Sequence, residues 1–225
     1  MALAPTLREW ANQYLLNFGF SGSFAKGTAI SLGTDIDIFI SVGQVPGRNM
    51  KEIYWNLFNY LAERQLQPVA QNVSVRVRSR GFRVDVVPGR RQPGNTTDHT
   101  LYRKKADTWT QTNVAQHVGL ISGSGRTSEI RALKVWRELN SLDFPSFYLE
   151  LTTIEALKGR RFGQLADNTL TALRYIADRL ASARVIDPAN TNNVISDDLD
   201  DASKKAVAAA AAKSAGQGNW GQIIW

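Results

Sequence analysis

The stretch that most limits what this chain can become is DIDIFISV, at residues 35–42. Its strict alternation puts Ile36, Ile38 and Ile40 on one face and Asp35, Asp37 and Phe39 on the other, a period of two that suits a β-strand and not a helix. Asp35 and Asp37 therefore project from the same face, roughly 6 to 7 Å apart along the backbone. Two carboxylates so placed can share a metal site. Oxygen donors suit magnesium or manganese, which keep several waters and complete their shells with phosphate oxygens.

A second patterned stretch extends this. In QNVSVRVRSR, Val73, Val75 and Val77 alternate with Ser74, Arg76 and Arg78, and a turn at Gly81 leads into FRVDVVP. The spacing predicts an antiparallel hairpin whose second strand carries Asp85 beside the first acidic strand. Three carboxylates on neighbouring strands, with no histidine or cysteine nearby, suit a two-metal site for phosphoryl or nucleotidyl transfer. Asp35 and Asp37 would bridge both ions. Asp85 would complete the second ion's shell and accept the proton of the attacking hydroxyl. The plainer alternative makes Asp35 a turn residue and Asp85 a solvated one. The segment GSFAKGTA, residues 22–29, sharpens the first reading: Gly22 permits a tight turn, Ser23 offers a hydroxyl, and backbone N–H groups at a helix start can face phosphate.

The rest of the chain supplies a frame. Leu7, Trp10, Ala11, Tyr14, Leu15 and Phe18 predict an amphipathic helix over residues 6–18, and Ile53, Leu57, Tyr60 and Leu61 predict another over 50–66, after the break at Pro46 and Gly47. Beyond about residue 107 the periodicity is helical for most of the remaining length, and Ala206 to Ala212 is a strong helix former. This predicts a mixed first lobe, residues 1–105, and a helical second lobe, residues 106–225.

With 225 residues, 43% of them hydrophobic, the chain can bury a core without covalent staples. It has no cysteine, which excludes disulfides, thiolate metal sites and a cysteine nucleophile. A net charge of +7 favours polyanionic partners such as nucleotides or nucleic acid. Neither a signal-peptide pattern nor a membrane-length apolar run is present, so a cytoplasmic protein with no membrane partner is expected. His99 and His117 are too far apart to pair at a metal and are expected to be structural.

GSFAKGTAISLGTDIDIFI followed by FRVDVVP resembles the DNA-polymerase-beta-like nucleotidyltransferases, with their Gly-Ser turn, D-x-D strand and later single aspartate. Further on, TSEIRALKVWRELN, PSFYLELTTIEAL and RVIDPANTNNV are similar to the helical portion of the 2′-5′-oligoadenylate synthetases and of the bacterial cyclic-dinucleotide synthases (CD-NTases) related to cyclic GMP-AMP synthase. The similarity runs from about Ser21 to the last residues.

The resemblance implies an α/β (α+β) nucleotidyltransferase fold, with a short mixed sheet lobe, a helical C-terminal lobe and the active site in a cleft. It implies that Asp35, Asp37 and Asp85 bind two magnesium (or manganese) ions and carry catalysis, and that Gly22 and Ser23 bind the triphosphate. It places Lys134 at the triphosphate, Ser146 at phosphate or base, and Phe147 under the base, where stacking contributes about 1 to 3 kcal/mol. Against these stand a solvated helix face for Lys134 and a core position for Phe147. Asp187 and Asn193 either cross-link their loop or meet nucleotide, and Arg76, Arg78, Arg80 and Arg83 either steer nucleotides or cover an exposed face.

The implied activity is transfer of NMP from an NTP, ATP foremost, to a hydroxyl, making a cyclic or linear oligonucleotide messenger of antiviral defence. RNA enters as a possible acceptor or activator. A tRNA 3′-end nucleotidyltransferase, a toxin-type transferase acting on tRNA or protein, and a binding module with a degenerate site are the alternatives.

Overall fold

The computed structural model describes residues 3–32, 35–94 and 96–224. The chain forms two compact units, one of Met1–Ala25 and Asp35–Val118, the other of Lys26–Thr34 and Gly119–Trp225. The division expected at residue 105 falls inside the first unit's sheet; the units part within a helix at 118/119 instead.

In the first unit, α1 (Ala4–Ala11) starts with proline in its first turn and buries Leu7 and Ala11. Asn12, at φ 44°, ends it, and β1 (Leu15–Phe20) follows a single 3-10 turn. The helix expected over residues 6–18 is thus corrected: Leu15 and Phe18 kept the apolar spacing, but they pair as strand residues with the acidic strand. After α2 (Gly22–Lys26) comes β2 (Ile36–Val42), and then α3 (Met50–Glu63), opened by a capping box in which Asn49 and Glu52 satisfy each other's backbone N–H. Of the apolar stripe predicted for α3, Ile53, Leu57 and Leu61 are buried, but Tyr54 takes the inner position expected of Tyr60.

β3 (Val69–Ala70), β4 (Val75–Ser79), β5 (Phe82–Arg91), β6 (His99–Arg103) and β7 (Thr108–Thr112) complete a seven-stranded sheet, and α4 (Val114–Ser122) follows. The path runs β1-β2-β5-β4-β3, with β6 pairing β5 and β7; β2 and β5 are parallel, and the other pairs antiparallel. The β4–β5 hairpin turns on Arg80 and Gly81, both at positive φ, the geometry that matches strand twist in a two-residue loop. Ile38, Ile40, Val75, Val77, Val84 and Val86 bury the apolar face against α1 and α3. Phe39 lies on the acid side, as the alternation required, yet is buried: its ring packs edge-on to His99, and any side chain at Gly89 would overlap it.

The second unit is helical at its centre. α5 (Thr127–Leu139), α6 (Ser146–Ala156), α7 (Leu165–Arg179) and α8 (Asp201–Ala215) share a core that includes Leu133, Trp136, Tyr148, Leu149, Leu173 and Ile176. The alanine run does form α8, capped by Asp200, and its small residues present Val207, Ala211 and Ser214 inward. Trp136 Nε1 donates to Ser214 Oγ at 2.9 Å, so the one polar edge of a buried indole is satisfied. The mostly helical expectation beyond residue 107 missed β7 and a small hairpin, β8 (Ile186–Asp187) and β9 (Asn190–Val194). Among the described residues no helix is long and apolar enough to cross a membrane.

Candidate active site

The parallel pairing of β2 with β5 puts Asp37 directly beside Asp85, and the β4–β5 pairing puts Asp85 directly beside Arg76. Register partners share a face, so Arg76, Asp85 and Asp37 form one row across three adjacent strands. Asp35 precedes β2 and joins the row at its end. Arg76 closes the group: its Nε donates to Asp85 Oδ1 at 3.0 Å, and its Nη2 donates to Asp85 Oδ2 at 2.7 Å and to Asp35 Oδ2 at 2.9 Å. Arg83 Nε stands 2.6 Å from Asp35 Oδ1, close as an ion pair but not aligned as a hydrogen bond. The hydrogen bond to Asp85, helped by the charges of Asp85, Asp35 and Asp37, outweighs partial burial and holds the Arg76 guanidinium even more firmly protonated than usual.

Gly22 completes the arrangement. It sits at φ +54°, and a Cβ there would lie 1.8 Å from Asp37 Oδ2. The Ser21 N–H also donates to the Asp37 carbonyl at 2.9 Å, which fixes the turn against β2. Glycine is required here both for the left-handed backbone and for the carboxylate packed against it. Ser23 follows on α2, half-buried. Gly33 and Thr34 of the motif lie outside the described residues.

The other expected residues lie in the second unit. Lys134 is not on a solvated face: it is 2% exposed, with Nζ donating to Glu150 Oε1 at 2.7 Å and to Thr28 Oγ1 at 2.9 Å. Lys26 Nζ donates to Glu150 Oε2 at 2.8 Å, and the Thr28 hydroxyl donates to Oε1. A single carboxylate, 1% exposed, is shared by two ammonium groups. Burial pushes Glu150 up, but the two lysines outweigh it and hold the carboxyl below its ordinary range; burial likewise pulls Lys134 down against the attraction of Glu150. Lys26 Nζ also stands 4.3 Å from the centre of the Phe147 ring. Phe147 packs partly against the core, and Ser146 Oγ accepts from Arg137 Nη1 at 2.9 Å. Asn193 Nδ2 donates to Asp187 Oδ2 at 3.1 Å, the cross-linking role weighed for that pair.

His99 is buried with its Nε2 2.7 Å from Ser41 Oγ, and burial lowers the pKa of its ring. Three residues here take parts that the sequence does not assign them: Arg76 as the partner of two acids, Lys26, and Glu150. The two-residue turn at Arg80 and Gly81 already sets Arg76 opposite Asp85, so that signal was in the sequence. Lys26 and Glu150 are 124 positions apart, and no local pattern joins them.

The donor set is all carboxylate oxygen, the chemistry a hard divalent ion takes. As the side chains stand, no group of three His, Cys, Asp or Glu among the described residues is gathered closely enough to hold an ion. Arg76 and Arg83 supply the positive charge around which Asp35 and Asp85 now converge.

The sheet thus has a central parallel pair flanked by antiparallel strands, with acids in register at its end and a glycine turn packed on one of them, and known proteins share this fold. No family model matches the chain. It is 26% identical over 172 residues to the cyclic AMP-AMP-AMP synthase of Escherichia coli (strain MS 115-1), a match covering 69% of this chain and 51% of that protein, so the chain spans about half the length of this curated relative. The solved complex of E. coli MS115-1 CdnC with HORMA-deltaN superposes with a TM-score of 0.77 at 21% identity, covering 95% of this chain and 80% of that one. The Bradyrhizobium diazoefficiens CD-NTase CdnG in complex with GTP gives 0.78 at 13% identity, covering 94% and 82%. The chain resembles the bacterial CD-NTases in sequence and has their fold.

Proposed function

We propose that the chain is a metal-dependent nucleotidyltransferase that moves NMP from an NTP to the hydroxyl of a second nucleotide, making a cyclic or linear oligonucleotide. The observation that carries this reading is the row of Asp37 and Asp85 on adjacent parallel strands, with Gly22 packed on the Asp37 carboxylate. It is supported by the relatives: one is a cyclic AMP-AMP-AMP synthase, and solved structures with this fold include CdnC with ATP and CdnG with GTP.

In this reading Asp35, Asp37 and Asp85 would hold two magnesium or manganese ions. Such ions, when bound, neutralise the triphosphate and lower the pKa of the attacking hydroxyl. Asp85 would take that hydroxyl's proton. Gly22 makes room for the Asp37 carboxylate against its turn, and Gly22 and Ser23 would meet the triphosphate, the Ser23 hydroxyl as a donor. Ser146 and Phe147, at the start of α6, would meet the nucleotide, the ring beneath the base. Lys134 acts through Glu150: it fixes the carboxylate that in turn holds Lys26 over Phe147.

Incubation with α-labelled NTPs and magnesium, with and without RNA, tests the acceptor. Small phosphatase-resistant products formed without RNA support a nucleotide acceptor. Label found only in RNA would make the chain a tailing enzyme, and label found only in tRNA or protein a toxin-type transferase.

A further inference from the structure

Arg76 contradicts the simple picture of three acids waiting for metal. Both oxygens of Asp85 accept from it, through Nε and Nη2, and the same Nη2 reaches Asp35. Its side chain is 29% exposed and that of Asp85 only 12%, so the pair is partly withdrawn from water, where ion pairing is stronger than on an open surface. The planar fork matches a carboxylate bidentately, and the group cannot resolve a conflict with an arriving cation by losing its proton. It has to move.

We propose that Arg76 is the resting counter-ion of the acid site: it occupies Asp35 and Asp85 until a nucleotide arrives, and thereby makes divalent-ion binding depend on the nucleotide. The inference rests on the reading of the three acids as metal ligands. With Arg76 shared between them and Arg83 beside Asp35, the two negative charges of Asp35 and Asp85 are offset, so they attract a free divalent ion weakly, and an ion beside them is repelled by the guanidinium it would sit against. A triphosphate changes both terms. It brings its own anionic oxygens to the ion, and it offers the guanidinium a second bidentate acceptor once the carboxylates are given up. Arg76 can follow that exchange because its stem is long and its position on β4 lies directly across from Asp85. Arg83, paired with Asp35 among the described residues and nearly half exposed, holds its acid less firmly. Metal alone would then leave the site closed, and metal with nucleotide would open it.

The test is a Mn2+ titration followed by the electron paramagnetic resonance signal of free Mn2+, on the wild type, Arg76→Gln and Arg76→Lys, without nucleotide and with a non-hydrolysable ATP analogue. Without nucleotide, Arg76→Gln is expected to bind Mn2+ roughly tenfold or more tightly than the wild type, the scale on which a neighbouring opposite charge alters cation binding to a carboxylate. Arg76→Lys keeps the charge but loses the fork, so it should fold where Arg76→Gln does not and gain affinity in the same direction by less. With the analogue present, the gap between wild type and variants should close. Equal affinity in all three proteins without nucleotide, lost in each on adding Asp37→Asn, would overturn the counter-ion while leaving the acids as metal ligands. Mn2+ binding indifferent to Asp37→Asn, or absent in every protein even with the analogue, would remove the metal reading and the counter-ion together.

Discussion

Gly22→Ala perturbs the site at one atom. Alanine at φ +54° carries the strain of a left-handed backbone, about 1 to 2 kcal/mol. The new methyl would also start 1.8 Å from Asp37 Oδ2, so the carboxylate must retreat by about 1.5 Å or more to reach ordinary contact. A misplacement of that size at a reacting centre costs on the order of 10²-fold in rate. Gly27→Ala is the control: its φ is +70°, but nothing lies within 4 Å of the added Cβ, so it carries the backbone strain alone. Urea unfolding should show Gly27→Ala weakened by about 1 to 2 kcal/mol and Gly22→Ala by at least as much, while transfer from α-labelled NTP falls on the order of 10²-fold in Gly22→Ala alone. Turnover of Gly22→Ala within about threefold of Gly27→Ala would refute the claim that this contact positions Asp37 for catalysis.

Three further outcomes follow from the second unit. Glu150→Gln leaves Lys26 and Lys134 buried without their shared anion, and urea unfolding should show a loss of about 3 to 5 kcal/mol; a loss below about 1 kcal/mol, the range of a surface pair, would mean the network is not held in a low-dielectric core. Because the Glu150 carboxyl is held low, its contribution is complete above its ordinary value of 4.5 and is lost as pH falls through the lowered one. The wild type should therefore lose stability below pH 4.5 more steeply than Glu150→Gln, and parallel curves would deny that assignment. Phe147→Ala should weaken nucleotide affinity by about tenfold in calorimetric titration, whereas unchanged affinity with a lower melting temperature would make the ring a core residue only.

The acid site was legible because it is built from register. Alternation placed Asp35 and Asp37 on one face, the hairpin placed Asp85, and the glycine turn preceded them in the chain. Arg76 was equally fixed by the two-residue turn at Arg80 and Gly81, but an arginine alternating with valines reads as an outer face until a carboxylate is known to stand opposite it. β1 was hidden inside a helical spacing, since Leu15 and Phe18, three apart, fit one face of a helix, and only pairing with β2 shows them to be strand residues. The Lys26–Glu150–Lys134 network was not legible at all. Each residue looks solvent-facing in its own segment, and their meeting depends on how distant segments pack.

The most direct test of the central claim compares the wild type with the double variant Asp37→Asn, Asp85→Asn, measuring transfer of α-label from NTPs with magnesium and the melting temperature of each protein. The account predicts labelled product from the wild type and none from the variant, with both proteins folded. Undiminished transfer by the folded variant would contradict it, because the paired aspartates on β2 and β5 would then not be the catalytic acids.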